Sequence, residues 1–170
     1  MRLRNTASSG GVYGLAIQFT NQAPNSTSFY FINCNDSSNN TRFSVKDNGN
    51  VQNQNNSYGA LSDAKLKENI VDSGSQWDDI KALTVRKYSL KSDNLDAPNM
   101  LGVIAQEVEA AGMNGLVTES PDLDANNQDL GTTTKSVNYS ILYMKAVKAL
   151  QEAMDRIETL EADVAALKNP

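Results

Sequence analysis

Hydrophobic and polar positions alternate at different periods along the chain. In "GVYGLAIQFTNQAPNSTSFYFINC", residues 11–34, two apolar runs rich in Tyr, Ile, Phe and Val flank the turn-forming "NQAPNSTS", and "NDSSNN" follows. "TRFSVKDNGNVQ" alternates Phe43 and Val45 with polar neighbours, and its "DNG" supplies residues that tolerate positive φ. These patterns predict short antiparallel strands joined by polar turns. Past residue 62 the character changes. "SQWDDIKAL" puts Trp77, Ile80 and Leu83 on one side of a short helix, with Ser75 as N-cap and Asp78 and Asp79 in the first turn. "TVRKYSL" alternates as a strand and "KSDNLDAPN" reads as a polar loop. "MLGVIAQEVEAAGMNG" begins as a buried strand or apolar turn. It continues as a helix aligning Ile104, Val108 and Ala111, ended by Gly112 or Gly115. "GLVTES" is another short strand. "PDLDANNQDLGTTTKS" shows no periodicity and is expected to be an exposed loop or extended arm, with Asp122 and Asp124 solvated.

The last segment, "NYSILYMKAVKALQEAMDRIETLEADVAALK", has a seven-residue period. Tyr143, Leu150, Ile157 and Val164 occupy one position of it, and Ala146, Ala153, Leu160 and Leu167 fall three residues after each. These are a and d positions over four heptads, expected as a coiled coil over about residues 140–168 with Leu150, Ile157, Leu160, Val164 and Leu167 at its core. An amphipathic helix docked on its own domain is the alternative. Ile or Val at a with Leu at d is a parallel-dimer pattern, so the heptads by themselves do not imply three strands.

Composition divides the chain at the same place. Residues 1–62 carry a net charge of +2 and the remainder −7, for −5 overall. No basic stripe tracks phosphates, so nucleic acid is not an expected partner. The first 62 residues hold 12 Asn and few large apolar residues. A sheet so composed buries little core alone, so completion by other copies of the chain is expected; a partly disordered polar leader is the alternative. Tyr13, Phe29, Tyr30 and Tyr58 are candidates for stacking on sugars, although aromatics on short strands more often fill a core. The single cysteine, Cys34, has no internal disulfide partner and is expected as a small apolar residue in a strand. Histidine is absent. That removes the usual general base and most transition-metal sites, so no metal or cofactor is expected. No apolar run is long enough to span a bilayer, and the opening "MRLRNTASSGG" lacks a signal peptide's apolar core. Synthesis in a cytoplasm without membrane attachment is expected, and the first residues read like the middle of something longer.

The seam itself, "GALSDAKLKENIVDSG", holds Ser62, Lys65 and Lys67. Without histidine a serine nucleophile needs another base, and lysine serves in Ser–Lys pairs. Its ammonium must then lose a proton near neutral pH, through burial or neighbouring positive charge such as Lys65. Ser62 and Lys67 are five residues apart, on poorly matched faces of a continuous helix. They meet only if Ser62 lies before a helix or in extended chain. From spacing alone, a helix start with solvated lysines is the plainer reading.

Four stretches, in order, resemble the endosialidase-type C-terminal intramolecular chaperone, the self-cleaving domain at the ends of many phage tail spikes and fibres. "LSDAKLKENI" resembles its junction and "VRKYSL" its central strand. "LGVIAQEVEAAGMNGLV" resembles its hallmark and "SVNYSILYMKAVKALQEAMDRIETLE" its terminal helix. A related domain occurs in myelin regulatory factor. The resemblance covers about residues 60–168. It implies an α+β protein with a distal β-rich fibre segment at 1–62 and a mixed α/β chaperone with its junction at 63–170. It also implies a homotrimer, a cut at Ser62–Asp63 by nucleophile Ser62 and base Lys67, release of the chaperone, and location in the virion. The polar loops are candidates to reach along the shaft of the same chain.

Ring size constrains that chemistry. Attack of Ser62 Oγ on its own carbonyl closes a strained four-membered ring. Attack on the Leu61 carbonyl closes a five-membered ring but cleaves before Ser62. A cut after Ser62 needs Ser62 of a neighbouring chain or a water activated by Lys67. The competing expectations are a permanent trimeric cap that never cleaves and a receptor- or glycan-binding tip formed by the N-terminal strands.

Overall fold

The computed structural model describes residues 15, 17–21, 25–91, 93, 98–124 and 128–168. It is mixed α and β, with antiparallel sheets and a long C-terminal helix, in two compact units, 1–69 and 70–170. Tyr13 and most of the 91–99 loop lie outside the described residues.

The first unit carries one sheet of order β1 (Tyr30–Asn35), β2 (Thr41–Lys46), β3 (Val51–Asn53). Its turns use asparagine and glycine where the chain must enter left-handed conformations: Asn39 at φ 62°, Gly49 at φ 85° and Asn56 at φ 47°. The Asp36 carboxylate accepts the N–H groups of Ser38 and Asn40, both at 2.9 Å, which closes the β1–β2 turn. Among the described residues of this unit only Ser44 and Asp47 are buried, and Asp47 accepts hydrogen bonds from the Ser26 N–H and hydroxyl. The sheet therefore lacks an apolar core of its own among these residues.

One expectation is corrected here. The described part of the first apolar run, residues 15 and 17–21, is not a strand. Among the described residues the sheet ends at β1, and that backbone has no ladder partner there. Phe19 instead leans on Phe31, their ring centroids 5.0 Å apart. Cys34 lies in strand β1, as expected, and is exposed there.

The second unit contains α1 (Trp77–Ala82), the antiparallel pair β4 (Arg86–Tyr88) and β5 (Met100–Gly102), and α2 (Ala105–Ala110). The hairpin β6 (Val117–Leu123) and β7 (Asp129–Val137) follows, then α3 (Tyr139–Lys168). Its core joins Val108, Met113, Leu116 and Leu142, with Ile80, Leu83, Val103 and Val137 packed around them. Helix α2 stops at Gly112, whose φ of 84° lets the Met113 N–H turn back to the Val108 carbonyl.

Helix α3 docks on α1 along one face. Leu142 and Ala149 are buried. The Glu152 carboxylate accepts the Ser75 hydroxyl at 2.7 Å and the Gln76 N–H at 2.9 Å. Lys145 pairs with Asp79 at 2.5 Å, and the Arg156 guanidinium stands 3.9 Å from the centre of the Trp77 ring. This corrects the N-cap of α1, which is Gln76 rather than Ser75. A carboxylate 76 residues away takes the Gln76 N–H, so the cap moves by one residue while Ser75 Oγ still accepts the Trp77 N–H at 3.3 Å.

The stretch expected as an exposed loop or extended arm at residues 121–136 is mostly the β6–β7 hairpin, and Asp122 lies in a strand rather than a loop. Its polar side chains pair across the strands. Thr132 and Thr134 hydroxyls both donate to the Asp122 carboxylate at 2.6 Å, holding it below the usual aspartate range. Lys135 pairs with Glu109 at 2.6 Å and Glu119 at 3.0 Å. Such ladders stabilise a hairpin without hydrophobic alternation, which is why the pattern hid it.

Candidate functional site

The seam folds as a single 3-10 turn, Ala64–Leu66, with extended backbone at each end. Asp63, at φ −66° and ψ 134°, caps it, its carboxylate accepting the Lys65 N–H at 3.0 Å. At the other end the Lys67 N–H bonds to the Ala64 carbonyl, and Lys67 itself is extended at φ −125° and ψ 147°. A three-residue turn is about a full revolution of such a helix. The flanking side chains consequently emerge on the same side. Lys67 Nζ donates to Ser62 Oγ at 2.7 Å.

Sequence spacing had left that meeting open, because a continuous α-helix separates residues five apart. The short turn between extended flanks brings them together. Lys65 goes elsewhere: its ammonium lies 3.4 Å from the Asp63 carboxylate and is largely solvated. Ser62 and Lys67 both face solvent in the lone chain, and neighbouring Leu61 is 91% exposed. For general-base work the contact must reverse, with Oγ donating to a neutral amine. Removing water from around the ammonium is the physical means to that state. Asn69, at φ 54°, ends the unit two residues beyond Lys67; an asparagine after a charged run was the available signal for that bend.

Downstream, Gly102 of "LGVIAQ" is buried. A Cβ there would lie 2.6 Å from Tyr139 Oη and 3.1 Å from Tyr88 Oη. Tyr139 Oη accepts the Val103 N–H at 3.2 Å, tying the start of α3 to the end of β5. Arg86 grips Glu107 through both carboxylate oxygens, at 2.8–3.1 Å, and holds that carboxyl below the usual glutamate range. Sequence reading missed these ties because each joins residues far apart in the chain.

The remaining predicted residues fall as follows. Leu150, Ile157, Leu160, Val164 and Leu167 are helical and exposed on α3. Phe29 and Tyr58 are exposed, while Tyr30 is half-buried with Lys46 over its ring. Among the described residues no cluster of His, Cys, Asp and Glu is placed to hold a metal, and no helix is long and apolar enough to cross a membrane.

Comparison with known families finds a match over part of the chain. The family model described as the chaperone of endosialidase matches residues 62–118. The match begins at Ser62 and runs through the seam turn, α1, β4, β5 and α2 into the first residues of β6. No curated protein matches the chain. The segment opening at Ser62 is thus similar to the endosialidase-type chaperone over about a third of the chain. The N-terminal sheet and α3 lie outside the matched residues.

Proposed function

We propose that this chain is a self-processing assembly chaperone for a phage tail fibre or spike. Three copies assemble through the chaperone domain, and the junction at Ser62–Asp63 is then cut with Ser62 as nucleophile and Lys67 as base. The observation that carries the reading is the 2.7 Å contact between Lys67 Nζ and Ser62 Oγ, at the first residue of the family match. The exposure of Leu61 and Leu66 beside it supports dependence on assembly. Packing other chains over those side chains dries the lysine and fixes the scissile peptide in reach.

In the chemical step the neutral Lys67 amine takes the Oγ proton as Oγ bonds to a carbonyl carbon. The amide nitrogen leaves with a proton, and water hydrolyses the resulting ester. Attack on the Leu61 carbonyl ends one product at Leu61. Attack by Ser62 of a neighbouring chain on the Ser62 carbonyl ends it at Ser62, with Asp63 as the new N-terminus. A water activated by Lys67 gives the same ends. After release the fibre loses the template for reversing its assembly, which interlocked β structure makes slow to form. It is then protected by its unfolding barrier.

The test is the intact mass of the parent beside Ser62→Ala and Lys67→Ala, with oligomeric state measured in parallel. Two fragments meeting at residues 62 and 63 in the parent, and one full-length chain in both variants, are expected. An uncut parent that forms stable trimers would make the domain a permanent cap. A second reading concerns the first unit, where an open hollow of about 410 Å³ is lined by Arg42, Gln52, Asn53, Gln54 and Tyr58. An exposed aromatic among amides suits a sugar, and a glycan-binding assay on the assembled protein tests a receptor-binding tip.

A further inference from the structure

The apolar side chains left uncovered on α3 do not follow one heptad register. From Tyr143 one row of them, with Met144 exposed beside it, runs Val147, Leu150, Met154 and Ile157, then Leu160, Val164 and Leu167, all at least 46% exposed. Their spacing is 4, 3, 4, 3, then 3, 4, 3 residues, with one break where two threes adjoin, at 154–157–160. Above the break the companions of the a positions are Val147 and Met154, one residue past the alanines of the regular seam. Below it they are Leu160 and Leu167, the regular d positions.

Tertiary structure accounts for the shift. The row that holds Leu142, Ala149 and Arg156, with half-buried Lys145, Glu152 and Ala153 beside it, is the face turned to the rest of its own unit. A strict a/d seam would lead a partner helix toward the side that α1 occupies. The contacts with the α1 region described above reach as far as Arg156, and past it the apolar stripe swings back to a/d.

We infer that second copies of this chain pack against α3 through a seam with a built-in break. They meet Tyr143, Val147, Leu150 and Met154 above it and Ile157, Leu160, Val164 and Leu167 below it. The inference rests on the self-assembly proposed above and specifies its surface. Charge points to identical, parallel, in-register copies as the occupant. In the lower register the flanking positions are Arg156 and Asp163 on one side, Glu161 and Lys168 on the other. In-register copies set Arg156 against Glu161 of the next chain and Asp163 against its Lys168, both opposite in sign. The upper seam is flanked by Ala146 and Ala153 on one side and Met144 and Gln151 on the other, so identical copies meet there without like-charge repulsion. A single three-residue break of this kind overwinds a coiled coil locally.

Cysteine cross-linking on the full chain, with Cys34→Ser as background, tests this. A disulfide requires Cα atoms within about 4.4–6.8 Å. Met154→Cys, Val147→Cys and Leu160→Cys are expected to shift most of the chain to the mass of a linked pair on oxidation, and Ala153→Cys and Ala146→Cys to leave it at the single-chain mass. Linking at Ala153→Cys and Leu160→Cys without Met154→Cys would overturn the broken seam and leave self-assembly standing, with an uninterrupted heptad. A parent that sediments as a monomer and links at none of these positions would remove both. Reading two positions one heptad apart keeps the result interpretable if one variant misfolds.

Discussion

Substituting Gly102 by alanine tests how the second unit is held together at the end of β5. Its new methyl group would sit 2.6 Å from Tyr139 Oη and 3.1 Å from Tyr88 Oη, closer than carbon and oxygen pack. One response is to keep the tyrosines in place and strain the backbone, and overpacking of this kind costs about 1–3 kcal/mol. Another is to swing Tyr139 away, which breaks its 3.2 Å bond from the Val103 N–H. Leaving that part-buried amide unpaired also costs about 1–3 kcal/mol. Either route predicts about 2 kcal/mol of destabilisation, so for a unit of this size the thermal midpoint falls by about 8–16 °C. The assay is thermal unfolding of Gly102→Ala, Tyr139→Phe and the double variant. Removing Oη makes room for the methyl group, so Gly102→Ala should cost about 1 kcal/mol less in the Tyr139→Phe background than in the parent. A Gly102→Ala midpoint unchanged from the parent, or a cost no smaller after Tyr139→Phe, would refute the close-approach account.

Two further outcomes follow from the second unit. Leu116, 1% exposed in the Val108–Met113–Leu142 core, is expected to cost about 2–5 kcal/mol as Leu116→Ala, read as the shift in a urea midpoint; a change within error would mean the core does not bear on stability as the burial indicates. Glu107, Glu119, Asp122 and Glu152 are all held below their ordinary values, first by hydrogen bonds from Arg86, Lys135, Thr132 and Ser75 respectively. Carboxyls depressed by folding stabilise above their unfolded values of 4.5 for glutamate and 3.8 for aspartate, and that contribution is lost as pH falls through the lower folded values. Thermal midpoints should therefore be flat near neutral pH and fall on acidification below about 4.5. Lys135, raised by Glu109 and then Glu119, contributes fully below 10.5 and loses its contribution as pH climbs past the raised value. A midpoint that rises on acidification would contradict these pairings.

Local pattern carried a good part of the architecture. The alternation of Phe43 and Val45 with "DNG" after them marked β2, its turn and β3, since side-chain period and turn chemistry act between near neighbours. Aligned Ile104, Val108 and Ala111 with Gly112 behind them marked α2 and its stop, and a sustained seven-residue period marked α3. Residue type singled out Ser62, Lys65 and Lys67 at the seam, and the family resemblance, not their spacing, implied roles for Ser62 and Lys67.

Tertiary structure decided what depends on groups distant in sequence. A polar hairpin built on Asp122, Thr132 and Thr134 has no hydrophobic rhythm to read. The cap of α1 moved by one residue because Glu152 supplies an acceptor from another helix. Gly102 is needed for the two tyrosine hydroxyls above it, one of them 37 residues along the chain. Heptad counting found the apolar stripe of α3, while the choice between positions d and e above Arg156 rests on which face α1 already covers. The Ser62–Lys67 contact is intermediate. Its residues are plain in the sequence, but their meeting required a 3-10 turn between extended flanks, a backbone choice that spacing does not encode.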